Sequence, residues 1–366
     1  MGIYIICILS IAIISFVLKL TKISKQKLNT IVIWLSFIEM LLIASLRNVT
    51  VGTDTINYKD TFITISHLPW KDIFSVHLEP GFVIYCKTLG LFTTNPIILF
   101  AVSETFILLS YCLFIKNYSK DITLSILLFI GMTFFFHSMN ILRQMMAMAI
   151  ATYSIKYIEN SKFLNFLIIN FIAITFHFTA IIMLLLYPLK NFKLSFLNAL
   201  FILFGCFIIT QTIGQQILQN AISTVYVNYT LDSSFQGGLS MLLFLVIVTF
   251  SGFFILNNND KENKIICTMM LLACCLQFLA LDLSLFARVV QYMSIAMIIY
   301  IPNVIYQIKN TNVKILIKSG CFLFILAYYL IIGLSVDLDG VVPYVFLWKL
   351  CVLLTVWVLV VLNVKS

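Results

Sequence analysis

The feature that most constrains this chain is the recurrence of apolar runs, sparsely charged and about as long as a membrane span. They lie near 3–20, 30–46, 95–115, 122–137, 141–158, 163–189, 194–218, 239–256, 265–282, 287–307, 314–334 and 343–363. Crossing the hydrocarbon core takes roughly 20 helical residues. Composition closes the alternative of a soluble globule. With 62% of the 366 residues apolar and 10% charged, too few polar side chains exist to coat one, since soluble domains are nearer half apolar and a quarter charged. The expectation is an all-α, polytopic integral membrane helical bundle. It should hold about 11–13 membrane helices, re-entrant and interfacial segments included, in one transmembrane domain over 1–366. The first run lacks a basic leader and a small-residue cleavage site, so it reads as a retained span.

The net charge of +9 comes mostly from lysine, clustered between apolar runs. Such clusters mark cytoplasmic loops, so the excess reports topology and implies no nucleic-acid partner. Lys19, Lys22, Lys25 and Lys27 place the first loop inside and the N-terminus outside. The loop 47–93 is then external, with Gly81–Phe92 as a short interfacial helix, because Lys116 and Lys120 mark the next cytoplasmic turn. Alternation places 138–140, 219–238, 283–286 and 335–342 outside and the C-terminus inside. The run 163–189 resists alternation, with Lys162 before it and Lys190 and Lys193 after it. It is either one span with external lysines or two half-helices that enter and return around His177, which a bilayer permits where the turn is buried in protein or faces water. The nine cysteines fall almost entirely within apolar runs and form no C-x-x-C pair; they pack as small hydrophobes.

Against the lysine pattern, the three arginines, Arg47, Arg143 and Arg288, all fall at external ends of spans. Arginine at membrane depth is costly and normally paired or functional, and its planar fork holds phosphate oxygens bidentately. Ala147 and Ala151 follow Arg143 at i+4 and i+8, and Gln291 and Tyr292 follow Arg288 at i+3 and i+4, a polar stripe expected to face the bundle interior. Asp54 stands seven residues after Arg47, just beyond Gly52, and is either an ionised partner of an arginine or a helix N-cap above Tyr58. Glu79 precedes Pro80 and is either a functional acid or the cap of the interfacial helix, with His77 beside it. His137 reads as a polar helix terminus. Asp337-Leu-Asp339-Gly340 imitates an acid-x-acid metal pair but has no third ligand near it, so no metal is assigned. P-loop, G-x-S-x-G and H-E-x-x-H motifs are absent, which argues against nucleotide-driven chemistry and implies no cofactor.

At Leu46-Arg-Asn-Val-Thr-Val-Gly-Thr-Asp-Thr-Ile-Asn-Tyr58, Glu79-Pro-Gly-Phe82, Leu142-Arg-Gln-Met-Met-Ala147 and Phe176-His-Phe-Thr-Ala180 the chain resembles the EpsG-like family of bacterial polysaccharide polymerases, which relate functionally to Wzy-type O-antigen polymerases. The motifs span 46–180; the second half resembles the family in hydropathy and in one outward arginine. Thr55 stands where the family often has an aromatic residue, and Thr179 where it often has serine. The resemblance implies a glycosyltransferase of O-antigen or exopolysaccharide synthesis in the bacterial inner (plasma) membrane, active at its periplasmic face. It would move a growing glycan from undecaprenyl pyrophosphate to a lipid-linked repeat unit with inversion, using no nucleotide. Membrane lipids and a chain-length regulator protein are the implied partners. On this reading Arg47, Arg143 and Arg288 clamp pyrophosphate, Gln144, Tyr58, Gln291 and Tyr292 complete the substrate contacts, and Asp54, Glu79 and His177 are the catalytic candidates. His177 is the expected proton acceptor. A lipid-linked oligosaccharide flippase and a sugar acyltransferase are the competing classes.

The topology makes the first prediction. On a cysteine-less background, Asp60→Cys reacts with an impermeant maleimide in intact spheroplasts and Lys27→Cys does not; the reverse pattern inverts the assignment.

Overall fold

The computed structural model of the protein describes residues 1–192, 194–214, 238–256, 261–282 and 284–347. Among these residues regular structure is helical, and extended pairing is limited to an antiparallel bridge between Arg47 and Phe346. The helices are α1 Gly2–Leu20, α2 Lys25–Ser45, α3 Thr55–His67, α4 Pro80–Gly90, α5 Pro96–Tyr118, α6 Ile122–Gly131, α7 Phe134–Asn140, α8 Leu142–Thr152, α9 Ile155–Glu159, α10 Phe163–Phe176, α11 Leu186–Leu189, α12 Phe196–Ile209, α13 Gly238–Phe253, α14 Lys261–Asp282, α15 Ser284–Ser294, α16 Met297–Gln307 and α17 Thr311–Tyr328.

Six helices among the described residues are long and apolar enough to cross a membrane. The pair α6 and α7, bent by 52°, adds a seventh candidate, and four shorter apolar helices accompany them. This is the all-α polytopic bundle expected from the apolar runs. Shortness has local causes. Thr133 adopts a left-handed φ of 65° between α6 and α7, and Ile141, at φ −92° and ψ 58°, separates α7 from α8. The expected external segment 219–238 and the final run 343–363 fall mostly outside the described residues, as does the C-terminus.

The chain divides into two compact units. One contains 1–116, 126–149 and the stretch from Cys321 on; the other contains 117–125 and 150–320. In the first, aromatic packing joins the two ends of the sequence. Tyr4 of α1 packs edge-on against Phe136, with centroids 4.8 Å apart, and donates its hydroxyl to Val341 O at 2.9 Å. Tyr329 also packs on Phe136 and donates to Tyr4 O at 3.2 Å. The same unit buries an ion pair. Arg47 Nη1 lies 3.1 Å from Glu104 of α5, with side-chain exposures of 1% and 0%. Its guanidinium also donates to Ala44 O, reaches Met139 O at 3.0 Å and lies over the Phe100 ring.

In the second unit the run 163–189 is a hairpin. As a continuous helix it would hold Phe163 and Tyr187 about 36 Å apart at 1.5 Å per residue; their ring centroids are 4.7 Å apart, and Phe166 lies 5.1 Å from the same tyrosine. The chain turns at His177, which is extended (φ −158°, ψ 121°) between α10 and a 3-10 segment, Phe178–Leu185. The single-span alternative is therefore set aside, and Lys162 and Lys190 lie at the base of one hairpin. At another end of this unit Lys318 pairs with Asp121, and Asn303 of α16 accepts from Lys120 N–H at 2.8 Å and donates to Tyr118 O at 3.0 Å. The segment just after Lys116, read as a cytoplasmic turn, thus packs against α16 and α17.

Removing one partner of a buried ion pair strands the other charge, at a cost of about 3–5 kcal/mol. Glu104→Leu should lower the unfolding midpoint of the detergent-solubilised protein sharply, and the double variant Arg47→Leu/Glu104→Leu should recover most of that loss. Equal losses in the two would remove the pair from the fold's essential interactions.

Candidate functional site

The site of the first unit is assembled by two chain segments laid side by side. Leu347 N–H donates to Leu46 O at 3.0 Å, Asn48 N–H to Val345 O at 2.8 Å, Gly52 N–H to Gly340 O at 2.8 Å and Thr53 N–H to Asp339 O at 3.0 Å. The close approach needs glycine at 340, which has φ +63° and whose Cβ would stand 2.7 Å from Thr53 Cγ2; Gly52, at φ +96°, instead lets the chain turn, since a Cβ there would stand 2.6 Å from Thr55 Oγ1 and 3.0 Å from Met139 O. Asp337 stabilises the turn by accepting from the N–H groups of Val341 and Val342 at 2.8 and 2.9 Å.

Asn140, at the end of α7, locks the arrangement. Its Oδ1 accepts from Thr53 Oγ1 and from Asp54 N–H, both at 2.9 Å, while its Nδ2 donates to Asp339 Oδ1 at 3.1 Å. The Asp339 carboxylate also pairs with His137 Nδ1, at 3.0 Å from Oδ1 and 2.9 Å from Oδ2. Three stretches that the lysine pattern assigns to the outside, 47–93, 138–140 and 335–342, therefore meet here. Both acids of the apparent acid-x-acid pair are occupied by protein donors, which explains them without a metal.

Asp54 occupies the N-cap position of α3 but makes no side-chain cap bond. Its half-buried carboxylate has no hydrogen bond among the described residues. One turn on, Tyr58 is buried, and burial pushes its hydroxyl pKa up; Asp54 adds to the rise and Arg143 opposes it. Tyr58 thus stays a neutral hydroxyl. Arg143, in the first turn of α8, forms an ion pair with Glu79, with side-chain exposures of 24% and 19%. Its guanidinium carbon lies 6.0 Å from the Tyr58 ring centroid and 5.9 Å from that of Phe82. Glu79 sits at the N-cap of α4 with Pro80 at N1, yet makes no cap bond, so the arginine claims it. Arg143 Nε is buried without a protein hydrogen-bond partner, a donor that a phosphate oxygen would satisfy.

Several expected contacts are redistributed. Arg47 is 3% exposed and both its terminal nitrogens are held by protein acceptors, so its fork is committed to the fold and is not presented to a phosphate. Gln144, one residue from Arg143, points the other way, into the core, with Nε2 3.8 Å from Met148 Sδ. His77 is exposed beside Glu79. In the second unit the stripe on α15 enters the bundle as it descends: Arg288 is exposed, Gln291 half-buried and Tyr292 fully buried. The expectation that the whole stripe faces inward is corrected at Arg288. Tyr292 accepts from Thr179 Oγ1 at 3.3 Å, which seats α15 against the hairpin that carries half-buried His177 at its tip.

Glu104, Asn140 and the His137–Asp339 pair were missed by the sequence reading. A lone acid inside the span 96–118 was the signal for Glu104, because such a group requires a cationic partner. No local signal joins His137 to Asp339, which lie 202 residues apart.

Searches of curated proteins and of solved structures each return no match to the chain. A family model does match, over residues 30–346, extending the likeness from the first-half motifs through the segment that carries Asp339. With this match across most of a helical membrane bundle, the chain belongs to the EpsG family of polysaccharide polymerases.

Proposed function

We propose that the protein is a Wzy-type polymerase of O-antigen or exopolysaccharide at the external face of the bacterial inner membrane. It moves a growing glycan from undecaprenyl pyrophosphate to a lipid-linked repeat unit, with inversion at the anomeric carbon. The observation that carries this reading is Arg143, a half-buried guanidinium held by Glu79 and flanked by Tyr58 and Phe82, with Asp54 one helical turn before Tyr58.

The chemistry suits that arrangement. As the anomeric C–O bond to pyrophosphate lengthens, negative charge grows on the leaving oxygen. A cation already fixed in place stabilises it without reorganising. Glu79 aims the guanidinium, and the Nε–H that lacks a protein acceptor is available to a phosphate oxygen. Tyr58 remains a hydroxyl donor, and Asp54 is suited to accept hydrogen bonds from sugar hydroxyls. Arg47 acts through the fold, by anchoring the segment that leads to Asp54.

Two measurements test this. A strain lacking the gene should make a single-repeat band on a polysaccharide gel; loss of all repeats would instead indicate a flippase. In that strain Arg143→Lys, expressed at the wild-type level, should lose roughly 10²-fold or more in polymerisation, the scale of losing one fixed donor to a developing charge, because lysine lacks the planar fork. A ladder of normal length from Arg143→Lys would remove the arginine from the mechanism.

A further inference from the structure

Resting on the polymerase reading, we propose that His137 takes the proton of the acceptor hydroxyl, with Asp339 as its orienting carboxylate and Asn140 tying the pair to the Asp54 segment. This moves the role from His177, where the sequence alone put it.

An imidazole base needs one nitrogen free and the other held, so that tautomer and ring direction are set before the reaction. His137 meets both conditions. Its Nδ1 faces both oxygens of the Asp339 carboxylate at 3.0 and 2.9 Å, which places the ring proton on that side. On the other side, Nε2 meets Thr133 Oγ1 at 3.4 Å, a long contact that an acceptor hydroxyl can replace. The ring is half-buried and braced edge-on by Phe134, at 6.2 Å and 85°. The backbone sets the ring's direction through a strained residue. Thr133 lies in the left-handed region at φ 65°, where a β-branched side chain is disfavoured, and this turns α7 by 52° from α6.

The pair also lies in the same hydrogen-bonded cluster as the rest of the site. Asn140, three residues beyond His137, bonds both the Asp339 carboxylate and the Asp54 N–H, and Arg143 follows three residues later. The acid, the imidazole and the backbone of the Asp54 segment are thereby fixed by one network, and Arg143 stands one turn further along the chain. In the step itself, the acceptor oxygen forms a bond to the anomeric carbon while the bond to pyrophosphate breaks and its electron pair leaves on the pyrophosphate oxygen. The hydroxyl proton passes to Nε2, Asp339 stabilises the imidazolium, and the proton is then released to water. The products are the new glycosidic bond and the lipid pyrophosphate.

His137→Asn is the informative variant, because the asparagine Nδ2 reproduces the Nδ1 donor to Asp339 while the basic Nε2 is gone. Purified protein is assayed with lipid-linked repeat units extracted from the deletion strain. His137→Asn should lower kcat by about 10²–10⁴-fold, the usual share of a general base, with apparent KM and membrane abundance unchanged. Asp339→Asn, which keeps a partner for Asn140 but not the charge, should also lower kcat and leave KM in place. Wild-type turnover in His137→Asn overturns the proposal. So does a His137→Ala variant that loses its fold while His137→Asn restores fold and activity together, since the contact is then purely structural. Arg143→Lys in the same assay separates the two readings: an inactive Arg143→Lys beside a fully active His137→Asn rejects the base alone, whereas normal activity in Arg143→Lys rejects the polymerase site on which the base depends.

Discussion

Hydrocarbon offers no hydrogen bonds, so a chain crossing it must satisfy each backbone N–H and C=O from within. That constraint accounts for the helices, and it also determines what happens where helices stop. The breaks in this chain are compensated by specific partners. Where α2 ends, the chain from Leu46 to Thr53 finds its acceptors and donors on 339–347, a ladder built from two distant loops. Where α10 ends, His177 N–H still bonds back to Ala173 O and the chain doubles on itself, so that Tyr187 packs against Phe163.

The same rule extends to side chains. A charge kept from water must meet an opposite charge or a set of donors and acceptors. Arg47 meets Glu104, Arg143 meets Glu79, and Asp339 meets His137 and Asn140. The pairs differ in burial, and this separates their roles. The Arg47–Glu104 pair is sealed and can only hold structure. The Arg143–Glu79 pair is part-exposed, with a buried Nε donor left over. An unpartnered polar atom is therefore not enough by itself: Arg47 Nε and Glu104 Oε2 are also left over but sit inside the sealed pair, whereas Arg143 Nε belongs to the part-exposed one.

On the proposed function, a glycan moved from a lipid pyrophosphate would bring its own activated bond, and the protein's task would reduce to holding charge, orienting a hydroxyl and accepting one proton. Those tasks are electrostatic and geometric. They suit a rigid cluster in which aromatic rings such as Tyr58 and Phe82 brace the charged groups. Mutating Asn140 or Asp339 would disturb several of these groups at once, because their bonds are shared.

The membrane bundle, the short helix after Glu79 and the turn at Gly52 could be read from the residues themselves, since span length, Pro80 at N1 and glycine's tolerance of positive φ are local properties. Hairpin formation at His177 was readable as one of two alternatives, because flanking lysines report sidedness but not the path between them. Arg143 stood out by being an arginine among lysines. What the sequence could not contain was the pairing of groups far apart along it. The commitment of Arg47 to Glu104, the loss of Gln144 to the core, and the meeting of His137, Asn140 and Asp339 each depend on which helix face packs against which. Only the tertiary structure decides that, because apolar faces in lipid are nearly interchangeable and the few polar contacts between them select the arrangement.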